Sequence, residues 1–190
     1  MLAITPLALP EVLELKPRVF EDERGSFCET FNQPRLVEHG LDLPWMQDNQ
    51  SRSVAVGTLR GLHFQEPPFA QDKLVRVLRG RIVDVAVDIR EGSPSFRQWV
   101  ALELAADAMN QIFVPAGFAH GFVTLEPDTV VMYKVTAPYS GAHDRSIAWD
   151  DPDLGVDWGD VLAESGPVLS DKDRDAPRLR DISNPFRFEG

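Results

Sequence analysis

One cysteine, Cys28, stands among 190 residues, and that scarcity excludes an internal disulfide framework. No run of Cys and His has the spacing of a structural zinc site. The chain must therefore be held by its apolar core, and a reducing, cytoplasmic location is expected. Long apolar runs are missing too. Every apolar segment meets a charge or a proline before the roughly 20 residues of a membrane span, so no membrane partner is expected. Basic residues are in deficit, 19 Lys and Arg against 30 Asp and Glu, and the net charge of -11 argues against nucleic acid as a partner. A small anionic ligand stays compatible with that charge, because a few Arg and Lys gathered in one pocket outweigh a screened distant field.

What is present reads as short strands. Residues 73 to 80 (KLVRVLRG), 81 to 90 (RIVDVAVDIR), 96 to 104, 110 to 117, 121 to 126 and 129 to 139 are separated by Gly and Pro turn signals. In 81 to 90, Ile82, Asp84, Ala86 and Asp88 share one face and Val83, Val85, Val87 and Ile89 the other. Residues 1 to 12 lack a basic leading segment and carry Pro6 and Pro10; they read as a first strand rather than a leader. Helix is scarce. Residues 32 to 40 are the best candidate, with Asn32 as cap, Pro34 at an early position and Gly40 as terminator; 158 to 164 is a weaker one. From about Gly141 the chain is acidic and reads as loop with a solvated face. The expected fold class is all-β, a sandwich or barrel with a few short helices and a loop-rich C-terminal extension, built as one domain over residues 1 to 190.

Chemistry concentrates in two segments. GTLRGLHFQ, residues 57 to 65, puts Arg60 and His63 near the end of a strand, with Gly57 and Gly61 permitting close backbone approach. PAGFAHGF, residues 115 to 122, adds His120 in a PxGxxH arrangement that resembles the second signature of the cupin superfamily. Metal-binding cupins present two histidines one residue apart in their first signature. Here the equivalent pair is His63 and Gln65, and glutamine is a poor transition-metal ligand. The expectation is a cupin-type jelly-roll barrel (double-stranded β-helix) with no metal. A histidine, an arginine and Lys73 in that cavity suit proton abstraction beside a carbonyl, with the cation stabilising the enolate oxygen. Epimerisation also needs an acid on the opposite face of the substrate. Tyr133, one of two tyrosines, is the candidate, with Met132 and Lys134 pointing the other way along its strand.

Taken in order, FEDERGSFCETF (20 to 31), MQDNQSRS (46 to 53), GTLRGLHFQ, KLVRVLRGRIVDVAVDIREGSPSFRQW (73 to 99), VPAGFAHGFVTL (114 to 125), YKVTAPYS (133 to 140), IAWDDPDLGVDW (147 to 158) and LSDKDRDAP (169 to 177) resemble the dTDP-4-dehydrorhamnose 3,5-epimerase family over nearly the whole chain. The resemblance implies His63 as proton acceptor, Tyr133 as donor, Asp173 as the carboxylate orienting His63, and Lys73 beside the keto oxygen. It assigns Arg24, Glu29, Gln47, Asp48, Asn49, Arg60, Lys73, His120, Asp144 and Lys172 to the dTDP-sugar substrate, with Tyr139 stacked on the thymine ring. Asp144 stands where the family commonly has Glu, and 53 to 59 is one residue longer than expected. The implied reaction is epimerisation at C3 and C5 of dTDP-4-dehydro-6-deoxy-D-glucose, in dTDP-L-rhamnose biosynthesis. No cofactor is expected, since no dinucleotide glycine fingerprint is present. The resemblance also implies a homodimer in which the N-terminal strand is an exchanged edge. A single-site C3 or C5 epimerase, an isomerase moving the ketone from C4 to C3 and a non-catalytic sugar-nucleotide-binding cupin stay open. Structural readings also stand: Asp84 and Asp88 as barrel or dimer packing, Arg24 with Glu29 as a surface pair, and the four tryptophans as core or interface.

Overall fold

A computed structural model of the chain describes residues 2 to 188. Its strands are β1 (Ala3–Pro6), β2 (Leu13–Lys16), β3 (Val19–Asp22), β4 (Gly25–Cys28), β5 (Gln47–Ser53), β6 (Leu59–Gln65) and β7 (Lys73–Arg79). They continue with β8 (Arg81–Asp88), β9 (Trp99–Ala105), β10 (Gln111–Val114), β11 (Phe118–Thr124), β12 (Thr129–Val135) and β13 (Asp144–Ser146). Three short helices, α1 (Gln33–Glu38), α2 (Asp160–Ser165) and α3 (Asp171–Arg174), complete the regular structure with one 3-10 turn (Leu179–Asp181). None of these helices is long and apolar enough to cross a membrane.

The strands form two facing antiparallel sheets, ordered β1-β2-β10-β7-β12-β5 and β13-β6-β11-β8-β9, with β3 and β4 apart as a hairpin. Between them lies a buried cluster fed by both walls: Val75 and Val77 of β7, Ile112 of β10 and Val131 of β12 meet Ile82 and Ala86 of β8 and Phe118 and Phe122 of β11. Period-two alternation places such residues inward on every strand. This is the expected all-β, cupin-type jelly roll.

The opposite faces are also covered, which alternation alone does not reveal. Val85, Val87 and Ile89 point out of the five-stranded sheet, and Leu154, Trp158 and Leu179 from the C-terminal region pack on them. The C-terminal extension is therefore a second core layer and not a solvated tail; its acidic residues are spaced by Leu, Val and Trp that bury against the sheet. On the six-stranded sheet, Leu36 and Leu41 around α1 cover Leu74 and Phe113. Asn32 caps α1 by accepting from the Arg35 N–H, and Gly40 takes φ +83° just beyond, as its sequence signals require.

Some boundaries differ from the sequence reading. Residues 1 to 12 contain β1 and then a turn closed by Leu7 N–H to Val12 O, and β1 pairs with β2 of its own chain at the sheet edge. Strand β12 ends at Val135, short of 139. Strand β5, QDNQSRS, was not recognisable because it is polar on both faces. The close approach expected at Gly61 is real: a Cβ there would lie 2.5 Å from Gly121 Cα on the neighbouring strand.

Candidate active site

Residues 54 to 58 form the loop between β5 and β6, where Gly57 takes φ +73° and its N–H bonds Thr124 O. Arg60 and His63 keep their places on β6. His63 is the register partner of His120 on β11, so the two side chains stand next to one another on one face.

A cavity of about 140 Å³ opens beside His63, lined also by Lys73, Tyr133, Gln47, Asn49, Tyr139, Asp144 and Lys172. A larger one, about 370 Å³, lies under the β3–β4 hairpin against α1, but it is mostly apolar and holds no base facing an acid. The small cavity is the chemical one. His63 comes from the five-stranded wall and Tyr133 from the six-stranded wall, so they address the cavity from opposite sides.

Asp173, on α3, is brought to His63 from 110 residues away: its Oδ1 lies 2.5 Å from His63 Nε2, while Ser170 Oγ donates to Oδ2 at 2.7 Å. The carboxylate fixes the proton on Nε2 and leaves Nδ1 as the basic nitrogen. Burial, the largest influence, pushes the imidazole below its ordinary value; Asp173 acts upward and the Lys172 and Lys73 ammoniums downward, and the net is downward. His63 is thus neutral, and ready to accept a proton, around pH 7. Burial raises the Asp173 carboxyl, but His63, Ser170 and the Gly61 N–H together bring it below the usual carboxylate range. Burial raises Tyr133, opposed by Arg60 and helped by Asp144, so the phenol keeps its proton. Its hydroxyl makes no hydrogen bond among the described residues. Lys73 is buried without a hydrogen bond or ion pair among those residues, and burial lowers its ammonium to about 8 against the pull of Asp84 and Asp144.

At the mouth, Asp144 Oδ2 accepts from the Tyr139 hydroxyl at 3.3 Å and pairs with Lys172. Other sequence candidates are not brought to the cavity within this chain. Asp48 faces outward and pairs with Lys134 at 2.7 Å, because alternation on β5 that turns Gln47 and Asn49 inward turns Asp48 away. Arg60 stands at the side, its guanidinium on Ser53 Oγ and Arg52 O. His120 is in the interior, its Nε2 2.9 Å from each Asp84 oxygen. Arg24 and Glu29 lie on or beside the exposed hairpin and do not pair with each other: Arg24 holds Asp22 at 2.6 Å and Glu29 holds Arg35 at 3.0 Å. Sequence reasoning passed over Gln71, a lining residue, and set Asp84 aside as packing although its inward face was readable. Asp88 is packing: it is buried and accepts from Arg90, Ser93 and Ser95. Gln65 is not a free ligand either, its amide donating to the Phe69 and Pro138 carbonyls and its oxygen accepting from the Ser140 N–H. Trp158 is core, its indole donating to Trp149 O, and Trp45 meets Phe31 and Phe113 edge-on.

Comparison with known proteins bears on this arrangement. A protein from Sinorhizobium fredii named dTDP-4-dehydrorhamnose 3,5-epimerase is 49% identical over 182 residues, covering 96% of this chain and 92% of its own. The crystal structure of a dTDP-6-deoxy-D-glucose-3,5-epimerase from Legionella pneumophila, in complex with dTDP-4-keto-L-rhamnose, superposes with a TM-score of 0.93 at 39% identity, each chain covered in full. A 3'-monoepimerase from Streptomyces bikiniensis in complex with dTDP-quinovose gives a TM-score of 0.85 at 34% identity, covering 92% of this chain and 87% of its own. The model of one family, described as dTDP-4-dehydrorhamnose 3,5-epimerase, matches residues 6–181, and the chain belongs to that family.

Proposed function

We propose that the protein is a dTDP-4-dehydrorhamnose 3,5-epimerase, an isomerase that inverts C3 and C5 of dTDP-4-dehydro-6-deoxy-D-glucose to give dTDP-4-dehydro-L-rhamnose. The observation that carries the reading is a neutral imidazole and a protonated phenol on opposite walls of one cavity, since inversion requires removal of a proton on one face and its return on the other. His63 Nδ1 takes the proton next to the C4 ketone, Asp173 supports the imidazolium, and Tyr133 protonates from the far side. Lys73, an unpaired buried ammonium, stabilises the enolate oxygen. The ketone itself is the electron sink, so the chain's own residues suffice for each proton step.

The cavity of about 140 Å³ is smaller than the roughly 300 Å³ of an ordinary ligand pocket, which suits a substrate that inserts only its sugar. The nucleotide then lies outside, against Tyr139, which is 63% exposed, with Gln47, Asn49 and Lys172 in the cavity lining beside it. Arg24 and Glu29 serve the ligand in a homodimer, where the hairpin of one protomer reaches the partner's site; Phe20 and Phe27, 50% and 71% exposed on that hairpin, supply the apolar contact. We take residues 1 to 190 as one domain acting in the cytoplasm. The monoepimerase among the structural relatives keeps single-site inversion as the second reading. NMR in D2O separates the two: exchange at both C3 and C5, abolished in His63→Ala, supports the double epimerase. Exchange at one carbon makes it a single-site enzyme, and exchange at neither refutes epimerisation.

A further inference from the structure

Residues 137 to 140 carry Tyr139 and lie outside every strand and helix, so no ladder holds their backbone. Three glutamine side chains hold it instead, one backbone group at a time. Gln71 Nε2 donates to the Ala137 carbonyl at 2.7 Å, and Gln65 Nε2 donates to the Pro138 carbonyl at 3.1 Å. The Tyr139 N–H donates to Gln47 Oε1 at 3.0 Å, and the Ser140 N–H to Gln65 Oε1 at 2.7 Å. Gln47 opens β5 on one wall, Gln65 closes β6 on the other, and Gln71 sits in the loop between β6 and β7. The segment is thereby tied to both sheets. Gln65 is the centre of this clamp: it is 4% exposed, and its second N–H donates to the Phe69 carbonyl at 2.7 Å. Its amide cannot be reversed, because the Phe69 and Pro138 carbonyls only accept and the Ser140 N–H only donates.

We propose that Gln65 is a positioning residue for nucleotide binding, holding residues 137 to 140 so that the Tyr139 ring stands preset at the mouth of the cavity. The inference rests on the reading above that the nucleotide lies against Tyr139. That ring is 63% exposed, so packing does little to fix it, and its placement falls to the backbone beneath and to its hydroxyl. The hydroxyl donates to Asp144 Oδ2 at 3.3 Å, and Asp144 on β13 is the cross-strand partner of Gln65 on β6. Gln65 and its register partner thus hold the two ends of one tyrosine. A platform ordered only when the ligand arrives would charge that ordering to the binding free energy, whereas one held beforehand does not. Gln65 lines the catalytic cavity with His63, but both of its N–H groups are engaged by carbonyls, which leaves it no donor for the sugar. The residue in the place of the second cupin histidine therefore holds a loop.

The test is a double-mutant cycle on wild type, Gln65→Met, Tyr139→Ala and the double variant, reading kcat, KM for the dTDP-sugar and the calorimetric Kd for dTDP. Met keeps the length of Gln and has none of its N–H donors. Gln65→Met is expected to raise KM and the dTDP Kd together by about 10- to 100-fold, the range for buried polar groups left unpaired. Its kcat should be unchanged, the signature of lost ground-state binding. In the Tyr139→Ala background the same substitution should add nothing, because a residue that acts through another is silent once that other is gone. Equal losses in both backgrounds overturn the proposal, as does a fall in kcat at unchanged KM, which is what general damage to the cavity would give. If Gln65→Met does not fold, amide hydrogen exchange on the wild type decides. Tyr139 and Ser140 N–H groups protected before dTDP is added support a preset platform, and groups protected only after its addition overturn it. Tyr139→Ala binding dTDP as tightly as wild type would refute the placing of the nucleotide, and the inference with it.

Discussion

Replacing Lys73 with Met is expected to make the protein more stable at neutral pH and a far poorer catalyst. Lys73 is 9% exposed, and burial takes its ammonium from 10.5 to about 8 even after Asp84 and Asp144 have acted to raise it. That difference corresponds to about 3 kcal/mol spent on holding the charge in the folded state. Met is of similar length and carries no charge, so the variant escapes most of this penalty. The sign follows from proton linkage. Between pH 8 and 10.5 the unfolded chain keeps a proton that the folded chain has released, so wild-type stability climbs with pH across that window and the penalty is full below it. Urea unfolding at pH 7 should therefore show Lys73→Met ahead by up to about 3 kcal/mol, with the gap closing as the pH approaches 10. Steady-state kinetics at pH 7 should show kcat lowered about 100- to 1,000-fold, the loss typical of one oxyanion-stabilising donor. A variant less stable than wild type at pH 7, or a gap that does not change with pH, refutes the reasoning.

Because His63 is held below its ordinary value, kcat/KM should stay flat as the pH falls to 6.5 and bend down only below it; an acid limb centred above 6.5 contradicts the geometry of burial at that site. Folding stability should also decline on that acid side, since the unfolded chain protonates its histidine first. Gly61→Ala should lose on the order of 3 kcal/mol or more in thermal or urea unfolding, because its Cβ would lie 2.5 Å from Gly121 Cα at φ +138°; a loss under 1 kcal/mol would mean β6 can move away from β11. In the proposed homodimer, Phe27→Asp on the hairpin should shift the sedimentation profile toward monomer and raise KM; a profile that does not change with the substitution would count against the hairpin as the interface.

Much of the scaffold was legible locally. The alternation in 81 to 90, the Asn32 cap and the Gly40 stop depend on near neighbours, and each appears where the pattern requires. His63, Lys73 and Tyr133 stood out by residue type and by the glycines around 61, and the family resemblance supplied their roles. Alternation does not say what lies against either face. Whether the outer valines of β8 meet water or the C-terminal layer, and whether β5 turns Asp48 or its neighbours inward, depended on how the two sheets close. The Asp173 carboxylate reaches His63 only because a late, short helix folds back beside β6. Local pattern marked the central strands, their alternating faces and the chemical types available. Tertiary packing decided which of them meet, because contacts across 36 to 110 positions of chain do not follow from any local period.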